Sequence, residues 1–172
     1  MNINQVSTAT HVGSIDFNLG NSKRLLNVKY NKNADIHNNG GRVYLIVSNG
    51  EIKKIGGSQS KGGIKSTLAF YISANQGRPS IRSYGIMSLI ANELKQGKNV
   101  EIYMIQSQQV TAPVLGLFDS HSMLVSAFKE MESKCIHNYK QIVGDYPAWN
   151  FQERGESWPE KIQKEHAEIL SK

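Results

Sequence analysis

The sequence predicts a small α/β domain of the α+β kind. Its core is a three-stranded antiparallel sheet flanked by helices in the order β-β-α-α-β-α, with an N-terminal arm before it and a C-terminal helical tail after it. Three observations carry this. Two apolar runs flank Asn49-Gly50, residues 64–95 hold two stretches of helical periodicity, and residues 99–106 return to strand composition before a last helical pattern.

At 172 residues the chain is long enough to bury one sizeable core. It reads as a single domain: a basic arm over 1–40, a core over 41–150 and a tail over 151–172. The single cysteine, Cys135, excludes an internal disulfide and a cysteine-only metal cage. No run reaches the roughly 18 apolar residues of a membrane span, so no membrane partner is expected. Residues 1–5 show no basic region followed by an apolar block, so no secretory signal is expected either, and a cytoplasmic protein is the reading. The net charge of +6 is unevenly placed. Residues 1–100 carry 13 Lys/Arg against 4 Asp/Glu, and residues 101–172 carry 7 against 10. A basic first part and an acidic remainder point to a polyanion on one side of the molecule.

In chain order, the arm is Asn-rich and punctuated by Gly13, Gly20 and Gly40, with Lys23, Arg24, Lys29 and Lys32 making it basic. Only 25–30 reads as a strand. The rest reads as loops that either wrap a nucleic acid or partner subunit or form a loosely ordered terminus. Asn49-Gly50 then marks a tight turn, because both central residues of a type I′ turn need positive φ. It pairs 43–48 with 51–56 and brings Tyr44 and Lys54 near one level of the ribbon. The plain alternative is an amphipathic hairpin with a packed tyrosine and an exposed lysine. Residues 56–63, Gly-Gly-Ser-Gln-Ser-Lys-Gly-Gly, expose backbone N–H groups that can approach a phosphate. The Gly-Lys-Ser/Thr ending of a Walker loop is absent.

Ile64, Leu68, Tyr71 and Ile72 give a helix over 64–75, ended by Gly77-Arg78-Pro79. Ile86, Leu89, Ile90 and Leu94 give a second over 81–95. A third strand covers 99–106, and 108–118 reads as a loop because of Pro113 and Gly116. Asp119-Ser120 is the expected N-cap of a helix over 122–143, with Leu124, Phe128, Met131, Cys135, Ile136 and Tyr139 on one stripe. Residues 148–159 are irregular, and a tail helix follows Pro159. Glu132 stands on the shoulder of its helix's apolar stripe, where a carboxylate either reaches water or serves a site. The aromatic and amide run 145–152 either stacks on bases or seals the core. The five histidines lack metal-ligand spacing.

These residues carry a resemblance to the GIY-YIG nuclease superfamily, and within it to its small type II restriction-enzyme branch. The first motif falls on Arg42-Val43-Tyr44, with Gly41 one place early, and the second on Lys54-Ile55-Gly56, where a lysine replaces tyrosine as in that branch. Glu132 with Ile136, continued by Pro147-Ala148-Trp149-Asn150, resembles the third. The match covers about 42–150. It implies a DNA endonuclease that hydrolyses phosphodiesters with Mg²⁺ or another divalent metal such as Mn²⁺, cutting a short duplex site, and working as a homodimer. Implied roles are Tyr44 as general base, Lys54 as its activator or a water-positioning group, Glu132 as metal ligand and Asn150 as orienter. The family expects an arginine on the first helix. Thr67 stands there, and Lys65, Arg78 and Arg82 are the cations left to hold the phosphate. DNA contacts are implied for Lys23 and Arg24 of the arm, for Arg42, for Ser58, Gln59 and Lys61 of the Gly-rich loop, and for Trp149. The missing arginine also leaves open a catalytically weakened DNA-binding protein, and a phage or mobile-element nicking nuclease stands as the other alternative.

Overall fold

The computed structural model describes residues 1–20 and 24–171, with Leu124 described by its backbone alone. Five strands form one antiparallel sheet: β1 (Thr10–Phe17), β2 (Leu26–Tyr30), β3 (Arg42–Ser48), β4 (Glu51–Ser58) and β5 (Val100–Gln106). Their spatial order is β2-β1-β5-β3-β4. The expected three-stranded core, β3, β4 and β5, is present. The arm is not loose, because it supplies β1 and β2, and β1 pairs with β5. β1 escapes a pattern reading because Gly13 interrupts its alternation and a bulge lies between His11 and Gly13. A Cβ at Gly13 would collide with the Lys29 carbonyl oxygen, so the glycine permits the close approach of β2.

The Asn49-Gly50 turn forms as its chemistry demands, with φ of 46° and 79°. β3 is buried along its whole length. As a central strand covered on both sides, it shows a continuous apolar run in place of alternation. One face of the sheet carries Val12, Ile15, Tyr44, Ile46, Ile102 and Met104. It packs on α1 (Gly63–Ile72) through Ile64, Leu68 and Tyr71, and on α2 (Ile81–Lys95) through Ile86 and Ile90. The other face, with Val43, Leu45, Val47, Ile52 and Ile55, is covered by Met131, Cys135, Ile136 and Tyr139 of α3 (Phe128–Val143).

Two expectations fail between 108 and 127. The loop and the start of the helix are instead a second hairpin, β6 (Gln109–Leu115) with β7 (Ser120–Ser126). Pro113 is compatible with β6 because that strand pairs on one side only. The helix therefore starts at Phe128 after Ala127, not at Asp119-Ser120, and Leu124 lies on a strand. A short α4 (Phe151–Arg154) and a tail helix α5 (Glu160–Leu170), docked on α2, complete the chain.

Candidate active site

The β3–β4 pair builds the site, and one bulge decides its chemistry. Val47 pairs with Ile52, but Ile46 pairs with Lys54, so Lys53 is an extra residue. Regular pairing from Ser48 and Glu51 would set Lys53 opposite Ile46 and turn Lys54 to the other face. The bulge instead puts Lys54 on the face of Tyr44, two residues along β4 from Gly56, which pairs with Tyr44. The C-terminal segment holds this geometry from outside. The Trp149 N–H donates to the Lys53 carbonyl at 2.8 Å. Asn150 accepts from the Ile55 N–H at 3.0 Å and donates to its carbonyl at 2.9 Å. Asn150 is fully buried, so it fixes the edge strand beside Lys54 and does not face a cleft.

The two glycines after Lys54 serve opposite faces. A Cβ on Gly56 would collide with the Tyr44 hydroxyl, and one on Gly57 with the Glu132 carboxylate. The bare backbone thus lets Tyr44 lie against β4 from one side and Glu132 of α3 reach it from the other. Tyr44 is 1% exposed, and its Oη lies 2.6 Å from the Oη of Tyr71 on α1. Burial and then Tyr71 push the Tyr44 phenol well above its ordinary value, and Arg82 acts in the opposite direction. The cation acting on Tyr44 is Arg82 of α2. Burial works against the charge of Arg82, but Tyr44, Tyr71 and Glu153 outweigh it and leave the guanidinium above its ordinary value. Lys54, 3% exposed, is held down at about 8, by burial first and Arg82 second, with Glu153 and Glu132 opposing.

Tyr44, Tyr71, Arg82, Ser58 and Thr67 line a cleft of about 210 Å³. Thr67 does not project an anion-binding group into it: its hydroxyl lies 2.6 Å from that of Ser58 and 3.4 Å from the Gly63 carbonyl. Among the three candidate cations, Arg82 lines the cleft. Arg78 is exposed and lines an adjoining hollow of about 420 Å³ that shares Phe70 and Ser83 with the cleft. Lys65 is exposed on α1 and lines neither hollow. Gln59 and Lys61 are exposed on the loop beside Ser58, and Arg24 is exposed near β2. Lys23 lies outside the described residues.

Two expected DNA contacts are buried. Arg42 is 0% exposed, and its Nη2 donates to the carbonyls of Asn38, Gly40 and Ser60. It clamps the segment before β3 to the Gly-rich loop, and burial lowers its pKa despite Asp35. Trp149 is 5% exposed within the core, so its ring offers no stacking face. Tyr71 lines the cleft and Glu153 acts on Lys54 and Arg82, and neither was given a role from the sequence. Tyr71 follows Thr67 by one helical turn, a usable signal. Glu153 gives no local signal, because its position depends on how 147–151 folds back over β4.

Among the described residues no three His, Cys, Asp or Glu gather as a metal cage. The donor set offered is one carboxylate, Glu132, which lies against Gly57, a residue of the cleft wall. That fits Mg²⁺, which keeps most of its waters and takes the rest of its ligands from a phosphate.

No family model matches the chain, and no curated protein matches it in sequence. Among solved structures, two nucleases are similar to it in fold. A mutant of bacteriophage T4 EndoII matches with a TM-score of 0.55 at 17% identity, over 87% of this chain and 98% of that one. The restriction endonuclease Hpy188I, in complex with product DNA, gives a TM-score of 0.46 at 21% identity, over 81% and 78% of the two chains. Among the described residues no helix is long and apolar enough to cross a membrane.

Proposed function

We propose that this protein is a metal-dependent DNA endonuclease, cutting a short duplex site as type II restriction enzymes do. The observation that carries this is the convergence of Tyr44, Tyr71 and Arg82 in one cleft, with Lys54 on the same sheet face and Glu132 reaching Gly57 from the other.

Hydrolysis joins a water oxygen to phosphorus, breaks a phosphorus–oxygen ester bond, and moves one proton from the water to a base and another to the leaving oxygen. Arg82 meets the negative charge that grows on the phosphate, and its planar fork suits two phosphate oxygens at once. Tyr44 is protonated at rest, since burial and Tyr71 hold its proton. It becomes a base only as positive charge arrives, with Tyr71 keeping the phenol aimed. Lys54, at about 8, is largely charged at neutral pH and stands ready to orient water or give a proton to the leaving oxygen. A divalent ion held by Glu132, Mg²⁺ or Mn²⁺, supplies charge neutralisation at the phosphate and acidifies water when bound. Arg78, Lys61 and Gln59, exposed around the cleft, are proposed to follow the duplex backbone.

Supercoiled plasmid incubated with the protein and Mg²⁺ tests this. Linear product at discrete positions supports it, and intact plasmid bound by folded protein refutes it. One observation favours a second reading. The Tyr44 phenol is buried, bonded to Tyr71 and far from ionisation, as in a protein that binds DNA without cutting it. That reading predicts salt-sensitive binding and no products.

A further inference from the structure

Arg42 has more hydrogen-bonding capacity than the protein uses. Its side chain is fully buried, yet only Nη2 finds acceptors, the carbonyls of Asn38, Gly40 and Ser60. Nε and Nη1 are buried without one. The carboxylate acting on Arg42, Asp35, is exposed, and its two oxygens accept from the Asn38 N–H and side chain. A buried charged donor without an acceptor is costly. A water would satisfy the hydrogen bonds and leave the charge unpaired; an anion answers both. The start of α1 is in a similar condition. Its N-cap is Gly62, no side chain caps it, and its first turn holds no acidic residue. Ile64 is fully buried, and among the described residues nothing accepts its N–H. The two features meet at one atom. The Ser60 carbonyl accepts from Arg42 Nη2 at 3.3 Å and from the Gly63 N–H at 3.0 Å.

We propose that Arg42 and the N-terminus of α1 form a binding site for a phosphate group, separate from the Arg82 site. It lies behind the cleft wall, since Arg42 pairs with Ser58, and Ser58 and Ser60 line the cleft. The Ser60 carbonyl holds the place of a phosphate oxygen, because the guanidinium and the helix start already converge on it. A phosphate brings what that carbonyl lacks: a full negative charge, and further oxygens for Nε and Nη1. The planar guanidinium fork suits two such oxygens at once. The uncapped helix start adds backbone N–H groups and the positive end of its dipole. Lys61 and Lys65, both exposed, flank the entrance and favour an anion. Entry needs a movement of residues 59–61 alone. Gln59 and Lys61 are exposed, and the Ser60 N–H is tied down by a 3.3 Å bond to Ser58 Oγ. Free phosphate and a backbone phosphate of nucleic acid offer this site the same chemistry.

Heteronuclear NMR of the Arg42 Nε–H, assigned through bonds in the native chain, tests this without a variant. Titration with inorganic phosphate should shift that signal saturably, and sodium chloride at the same ionic strength should not. A short DNA duplex, without divalent metal, is the second arm. A shift with phosphate alone assigns the site to free phosphate, and a shift with the duplex assigns it to the nucleic-acid backbone; either supports the site. A signal unmoved by both, or moved equally by chloride, overturns the proposal. Arg42→Lys keeps the charge and loses the fork. It should bind phosphate about 10-fold or more weakly, read from the phosphate dependence of thermal unfolding. A variant that binds phosphate as tightly as the native chain also overturns the proposal, and if the variant does not fold the native titration decides. Phosphate binding at Arg42 without plasmid cutting would refute the nuclease reading and leave this site standing; cutting with an unmoved Arg42 signal would do the reverse.

Discussion

Two hairpins in this molecule have nearly equal strands and opposite fates. β3 and β4 turn at Asn49-Gly50, and every residue of β3 is buried. β6 and β7 pair just as regularly over seven residues, yet none of their described side chains is buried. Pairing alone thus says little about stability or role. The difference lies in a third strand, β5, on the open edge of β3, and in helices on both faces. Coverage gives the first hairpin a low-dielectric surround in which Arg82 acts on both Tyr44 and Lys54. The second hairpin, uncovered, keeps its apolar atoms free for another surface.

The largest expected effects lie on the first hairpin. Tyr44→Phe and Glu132→Gln should each lower the cleavage rate by about 10²–10⁴-fold with DNA affinity retained, as measured by plasmid cutting beside filter binding. Either variant cutting at the native rate removes that residue from the mechanism. In stability, Ile46→Ala on β3 should cost about 2–5 kcal/mol in urea unfolding. A loss below 1 kcal/mol would mean that the covered hairpin packs far more loosely than its burial shows.

Lys54 gives a pH signature. Its folded pKa of about 8 lies below the ordinary 10.5. Between these values the unfolded chain holds a proton that the folded chain has lost, so this contribution to stability rises with pH. At neutral pH the buried charge opposes folding. Lys54→Met should therefore gain up to roughly 3 kcal/mol at pH 7, and the gain should shrink as pH climbs from 8 toward 10. A difference independent of pH would contradict the burial of the ammonium group. Gly56→Ala comes next, at about 1–3 kcal/mol, because its methyl group meets the Tyr44 ring. On the ribbon, Val110→Ala should change monomer stability by no more than about 0.5 kcal/mol. A larger loss in the isolated chain would show that the second hairpin is covered after all.

What was legible from the residues was local. Asn49-Gly50 specifies its own turn, and α2 spans the expected 81–95 because its apolar spacing is unbroken. The rest depended on contacts distant in sequence. The bulge that turns Lys54 inward is held by Trp149 and Asn150, almost a hundred residues away in the chain. Arg42 looked like a surface cation, because no pattern within 38–60 announces three carbonyls closing on one guanidinium nitrogen. That Arg82, and neither Lys65 nor Arg78, lines the cleft depends on how α2 packs beside α1. The ribbon hid behind Pro113 and Gly116, which read as a loop and are tolerated in a hairpin paired on one side only.

The central claim is that the cleft below β3–β4 holds a scissile phosphate with Arg82 as its cation. Single-turnover cutting of a saturating duplex by native protein and Arg82→Ala, both with Mg²⁺, tests it most directly. The account predicts native cutting and a variant about 10²–10³-fold slower, while binding remains. Equal rates in the two proteins would contradict it.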